Sequence, residues 1–404
     1  MSELVRPDPN PSVVRPAIVY FALFGALGAY FPYIAVFFGS IGLSLPEIGL
    51  LSALNAGIAV VAAPTWGAIV DRARDIRAPI VVAGAWSALA AVWLGLSREP
   101  AMVAFAVIVL AGGMAGLGPM LDTRTIEIVD SDRDRYGRAR AWGSLAFTVA
   151  ALGVGVVIGK TGPGGLFLLF APGLALTSVL AYVMFGRRGT GGTGPASRVS
   201  ARRSSGTFAA GLAGIASDSP LLLFFVGSVL VWSAGAAVTT FVSVHLVQLG
   251  ADTALVGLVW TPGALVEVPL MLAFPLIARR FPAGRLLVVG ALAFALRSAI
   301  WAAVADPWLF VATAPLSGVG YAFFFVGTVT YVSRAVPSSV QATAQGLFSG
   351  TAFSVGQIIG GVVGGQLAAI LTIPGLFGAA AATTAVGAGI VFWATELRKS
   401  TEPG

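Results

Sequence analysis

Residues 256–277 read VGLVWTPGALVEVPLMLAFPLI and residues 286–305 read LLVVGALAFALRSAIWAAVA, two apolar arms on either side of the polar turn Arg279-Arg280-Phe281-Pro282-Ala283-Gly284-Arg285. Each arm holds one charge, Glu267 in the first and Arg297 in the second. Glu267 precedes Arg279 by 12 positions, and Arg297 follows Arg285 by 12. A helix rises ~1.5 Å per residue, so both charges stand ~18 Å from the turn. A hydrocarbon core is ~30 Å thick. The spacing therefore puts an acid and a base near mid-membrane, at matching depth on antiparallel neighbours. Left alone, each disfavours insertion by roughly 2.5–3.5 kcal/mol. Such residues face a bundle interior or a wet cavity and mark an ion or substrate path, or they form an ion pair that locks two helices. Spacing leaves both readings open.

The rest of the chain agrees with a membrane setting. Of its 404 residues 57% are hydrophobic and only 10% charged, with a mean hydropathy of +0.90; a soluble domain carries about 25% charged residues. Apolar runs long enough to span a bilayer recur at 16–39, 47–70, 78–97, 101–121, 139–159, 165–185, 219–243, 253–278, 285–305, 307–331, 343–371 and 374–396. The expectation is an all-α integral membrane protein of twelve transmembrane helices. Residues 186–218 are polar and basic, with Arg187, Arg188, Arg198, Arg202 and Arg203 among Gly, Ser and Thr. They read as a linker between two six-helix halves, 16–185 and 219–396, with short tails at 1–15 and 397–404. A weak repeat supports the division: Gly67 to Asp71-Arg72 after the second span is echoed by Pro275 to Arg279-Arg280 after the eighth. Two such halves around a midplane site is the architecture of secondary transporters.

Charge sets the expected orientation. With the N-terminal tail in the cytoplasm, 21 of the 24 lysines and arginines fall on the cytoplasmic side; Arg98 and Lys160 fall outside and Arg297 inside the membrane. By the positive-inside rule both termini are then cytoplasmic, in the inner (plasma) membrane of the cell. The abundance of Ala, Gly, Val and Arg points to a bacterial source. The net charge of +7 lies in loops and forms no aromatic-interleaved basic face, so nucleic acid is not an expected partner. Cysteine is absent and His245 is the single histidine. Together with the lack of HExxH and GxSxG, this argues against an enzyme and against any metal or organic cofactor. His245 itself reads as an interfacial residue, and Trp232, Trp260, Trp301 and Trp308 as interface or packing aromatics.

A second charged constellation follows the fourth span, GPMLDTRTIEIVD, and opens the fifth, SDRDRYGRARAWGSLAF. Asp122 lies inside or at the edge of one apolar run and Arg140 begins the next. They could pair across adjacent helices and clamp polar substrate groups, with Trp142 or Phe147 offering a stacking face, or form a pair at the interface level. Tyr20, Phe24 and Tyr30 on the first span are further candidates for a cavity wall, and Gln345 and Gln357 are intramembrane polar groups.

The stretches GALGAYFPYIAVFF, GAIVDRARDIR, YGRARAWGS and VPSSVQATAQGL together resemble the major facilitator superfamily, in its lactose-permease and phenylpropionate-permease (oligosaccharide–proton symporter-like) branch. The resemblance covers nearly the whole chain. It implies substrate contacts at Asp122 and Arg140, an acid linking substrate and proton sites at Glu267, and a coupling arginine at Arg297. It also implies a conformational gating loop at Gly67, Asp71 and Arg72. One departure matters: the run PLSGVGYAFFFVG places Ser317 and Gly320 where lactose permease carries a histidine and a glutamate. Proton coupling then falls to Glu267 or Asp122. The sugar-stacking aromatic is Phe147 here, which does not support galactoside specificity. The expected function is proton-coupled symport of a small sugar or aromatic organic acid by a monomer in the lipid bilayer, with export or proton-independent uniport as alternatives.

Overall fold

The computed structural model describes residues 13–73, 75–129, 132–185, 218–336, 348 and 352–401. The linker arginines, Arg74, Asp130 and the stretch 337–347 with Gln345 lie outside the described residues. Among those described there is no strand, and eleven helices are long and apolar enough to cross a membrane. The first half contributes α1 (Val14–Ser40), α2 (Leu45–Arg72), α3 (Arg77–Leu96), α4 (Pro100–Ile128), α5 (Asp134–Thr161) and α6 (Pro163–Met184). The second contributes α7 (Ser219–Gln248), α8 (Thr253–Ile277), α9 (Ala283–Ala303), α10 (Pro307–Ala335) and α11 (Phe353–Arg398). The 46 residues of α11 would run ~69 Å if straight, over twice a hydrocarbon core. They do not run straight: Thr372 leaves the helical region with φ 68° and ψ 168°, and Pro374 follows. That break falls between the last two expected spans.

Short acidic side chains start many of the helices. Asp132, Asp218, Asp252 and Asp306 each accept backbone N–H bonds from the first turn that follows. Ser44 and Glu47 form a reciprocal capping box at the head of α2. Caps of this kind satisfy the free donors of a helix N-terminus and favour negative charge there. Outward faces are apolar: Leu89, Leu272 and Ile370 are 73%, 78% and 75% exposed. In water that would be an aggregation hazard; against lipid tails it is the matching surface.

The helices of α4 and α5 outrun their apolar cores. Helix continues to Ile128 and resumes at Arg133, so Asp122 lies inside α4 rather than at its end. The charges that end a hydropathy run do not end a helix, because Arg and Glu are good helix formers.

The halves meet most closely where α2 crosses α11 and where α5 meets the start of α8. The first crossing is backbone to backbone. A Cβ on Gly49 would run into the carbonyl of Gly361, and Gly365 packs on Pro46 and Gly49. Small residues permit such approach and let dispersion act at short range. At the second junction Tyr33 Oη donates to the Ala151 carbonyl at 2.6 Å and lies 3.1 Å from that of Thr253. Thr253 Oγ1 donates to the Gly155 carbonyl at 2.6 Å. All these contacts lie toward one end of the bundle, the end that carries Ser44 and Asp252, and they seal it.

The chain has no cysteine, so Thr239→Cys on α7 gives a single labelling site facing the space between the halves. An impermeant maleimide should reach it mainly from the unsealed side in oriented vesicles. Adding Gly49→Leu should raise labelling from the sealed side several-fold. Unchanged labelling would show that the glycine crossing does not hold this end shut.

Candidate functional site

Between the halves lies a cavity of about 270 Å³. From the first half, α1 supplies Phe24 and α5 supplies Ser144 and Phe147. From the second, α8 presents Trp260, Gly263, Ala264 and Glu267, positions that share one helical face. Arg297 and Trp301, four apart on α9, form the adjoining wall, and Ser317 and Tyr321 of α10 the next.

Local backbone explains why these groups converge. A Cβ on Gly318 would collide with the Gly263 carbonyl and come 2.8 Å from the amide nitrogen of Glu267. The missing side chain lets α10 lie directly on α8 beside the acid. Immediately after, α10 widens into a π-helical turn over Tyr321–Phe325. Such turns accommodate one extra residue and often accompany functional sites; this one begins at the tyrosine that lines the cavity.

Glu267 and Arg297 share this space, but no ion pair joins them among the described residues. Of the two readings left open by the spacing, the helix-locking ion pair is not formed in this conformation. Arg297 is only 5% exposed, and its Nε is buried without a partner. Its guanidinium carbon sits 4.5 Å from the Trp301 ring centroid and 5.6 Å from that of Phe294. Stacking on the ring one turn along the same helix holds the arginine away from the acid.

Asp122 and Arg140 line a second cavity, of about 390 Å³, which also includes Asn55. They too are not ion-paired among the described residues. Asp122 accepts a 2.5 Å hydrogen bond from Tyr20 Oη. Arg140 lies over the rings of Phe24 at 4.5 Å and Tyr20 at 5.5 Å. Phe24 belongs to the walls of both cavities and partitions them.

Two candidates do not sit where the sequence suggested. Trp142 reaches neither cavity; it is 51% exposed and forms an outward stripe with Leu145 and Val149. One helical face cannot serve both Trp142 and Phe147, five residues apart, and the cavity takes Phe147. His245 is 5% exposed rather than interfacial, packed 5.7 Å from Phe310 and 5.6 Å from Phe377. Tyr30 stacks on Phe170 at 4.4 Å inside the first half. Gly67, Asp71 and Arg72 end α2, remote from both cavities. Arg72 donates to the Ala68 carbonyl, and the space beside Gly67 is open. A glycine is therefore not demanded there in this conformation.

Asn55, Thr239, Ser144 and Tyr321 were not singled out by sequence, and Trp260 and Trp301 were read as packing. The signal was available for the tryptophans, since Trp260 precedes Glu267 by two turns and Trp301 follows Arg297 by one. Hydroxyl groups gave no signal, because membrane helices use them routinely to bond their own backbone, as Thr239 and Ser317 also do here.

The sequence model described as MFS_1 like family matches residues 13–373. A maltose permease of Geobacillus stearothermophilus is 27% identical over 351 residues, 87% of this chain and 86% of that protein. A probable 3-phenylpropionic acid transporter of Escherichia coli K12 is 27% identical over 307 residues, 73% of this chain and 76% of that one. Among solved structures, the nucleoside transporter NupG aligns with a TM-score of 0.77 at 18% identity, over 96% of this chain and 99% of its own. A bacterial homologue of the lysosomal transporter Spinster, solved inward-facing and unoccupied, aligns at 0.74 and 13%, over 97% and 98%. At these identities the structural matches bear on the fold. With the match running through both helical halves and the cavity between them, this chain belongs to the MFS_1 like family and is a membrane transporter of the major facilitator superfamily.

Proposed function

We propose that this transporter couples protons to the movement of a small solute, a sugar or an aromatic organic acid, by alternating access. The observation that carries the reading is the cavity between the halves, where Glu267 and an unpaired Arg297 face one space. Glu267 is the proton carrier in this scheme. Protonated, it leaves Arg297 on Trp301; ionised, it draws the arginine across the cavity, and the two arrangements bias the halves toward opposite openings. Asp122 and Arg140, with Phe147 beyond Phe24, hold polar groups of the solute. Gly67, Asp71 and Arg72 act when the unsealed end closes and the space beside Gly67 fills.

We read α11 as two spans folded at Thr372, which gives twelve in two six-helix halves. The termini and the 186–218 linker are then cytoplasmic, in the inner membrane of a bacterium, and the protein works as a monomer. The concentration of Lys and Arg on that side supports the orientation, and the named relatives above come from bacteria. Ser317 in the cavity wall, where lactose permease carries ionisable side chains, favours a second reading as a proton-independent uniporter.

Uptake by purified protein in vesicles under an inward proton gradient separates these. Protonophore-sensitive accumulation of one solute class supports symport; equilibration indifferent to protonophore supports uniport; no uptake moves the assignment to export. Glu267→Gln should abolish accumulation against a gradient while sparing exchange, and unchanged uphill transport in that variant would sink the carrier role. Phe24→Ala, which merges the two cavities, should raise the KM for uptake by about tenfold, a loss of one well-packed aromatic contact. Trp142→Ala should leave KM unchanged; a comparable rise there would mean that the outward stripe contacts solute.

A further inference from the structure

We infer that the solute is a monoanion with an aromatic body, and that Arg297 holds its carboxylate. This rests on the transport reading of the cavity. The starting point is a cation that nothing neutralises in this conformation, the state in which Glu267 carries the proton. Arg297 is 5% exposed, its Nε is buried without a partner, and no carboxylate pairs with it among the described residues. A buried charge persists in such a place when an anion completes it for part of the working cycle. The face of Trp301 is a weaker partner than an anion and neutralises nothing.

The contact with the ring takes none of the guanidinium N–H groups. The planar fork of N–H donors of an arginine matches the two oxygens of a carboxylate, which is the geometry arginine is selected for. Trp260, on the facing helix, lines the same cavity, and its Nε1 is also buried without a partner. Arginine and tryptophan side chains can only donate. Two unfilled donors on residues that line one space call for a ligand with acceptors. The proton-bearing hydroxyls of Thr239 and Ser317 are already committed to their own helices.

The remaining walls suit an aromatic ring. Phe24 and Phe147 close the first-half side, and Trp301 carries the arginine on the other. About 270 Å³ is room for a ring with a short acidic tail. Pairing one carboxylate with one proton on Glu267 also makes each turnover electroneutral, so uptake would follow the pH gradient and ignore membrane potential.

The test is calorimetric titration of the purified protein with 3-phenylpropionate, its uncharged amide 3-phenylpropanamide, and maltose. The acid should bind about tenfold or more tightly than the amide, the ratio expected when a charge-assisted hydrogen-bond pair is lost. Arg297→Gln should bring the acid down to the affinity of the amide while moving the amide itself by no more than about twofold. Equal binding of acid and amide to the unaltered protein overturns the inference, as does no binding of the acid or an undiminished preference for it in Arg297→Gln. The wild-type ratio stands even where the variant fails to fold. Protonophore-sensitive accumulation of maltose with no acid binding would overturn this inference and leave the transport reading intact. Tight acid binding with no proton-driven uptake would do the reverse.

Discussion

In hydrocarbon every peptide N–H and C=O must find its partner within the protein, and a helix is the one open-ended way to do so. That constraint makes the few departures from helix in this chain informative. The turn at 31–33 breaks α1, Val259–Trp260 breaks α8, the π-helical turn at 321–325 widens α10, and Thr372 breaks α11. None is placed at random along the bundle. The turn in α1 delivers Tyr33 to the inter-half junction, while the breaks in α8 and α10 deliver Trp260 and Tyr321 to the cavity. In those three helices the loss of regularity sets a side chain at a boundary between the halves, while Thr372 turns the chain between two spans.

The charges follow a shared rule as well. Each half lays one arginine against an aromatic face, a half-buried Arg140 on Phe24 and a buried Arg297 on Trp301, with an acid in the same cavity that it does not pair with. Stacking orients a guanidinium without discharging it. The acids are handled differently: Asp122 is engaged by Tyr20, whereas Glu267 makes no side-chain hydrogen bond among the described residues and lines the inter-half space. The cavity thus keeps one acid and one base in hand, which is what a site that must gain and lose both proton and solute requires.

How much of this was legible depends on contrast. Span centres were readable to within a few residues because polar turns interrupt apolar runs sharply, as at 279–285. Depth is readable too, because equal spacing from the 279–285 turn puts Glu267 and Arg297 at one level of the bundle. Facing was not. A helix whose lipid side and protein side are both apolar carries almost no periodic signal, so Trp142 could not be told from Phe147. Whether each acid pairs with its base stayed open for a related reason: charge spacing does not register a nearby tryptophan or phenylalanine that takes the arginine instead. His245 was misread because an end-of-span position says nothing about whether Phe310 and Phe377 close over it.

The glycine crossing of α2 with α11 has a consequence for how the halves part. A gap of about 0.5–1 Å already forfeits a quarter to a half of the dispersion attraction between backbones, so this contact weakens steeply once the halves begin to part. It contains no charge, and the neighbouring Tyr33 and Thr253 bonds end on neutral carbonyls. Salt does not screen such contacts, whereas the arginine-bearing opposite end works through interactions that salt weakens. The two ends of the same bundle are therefore governed by different physical variables. One answers to fit, the other to the ionic medium that bathes it.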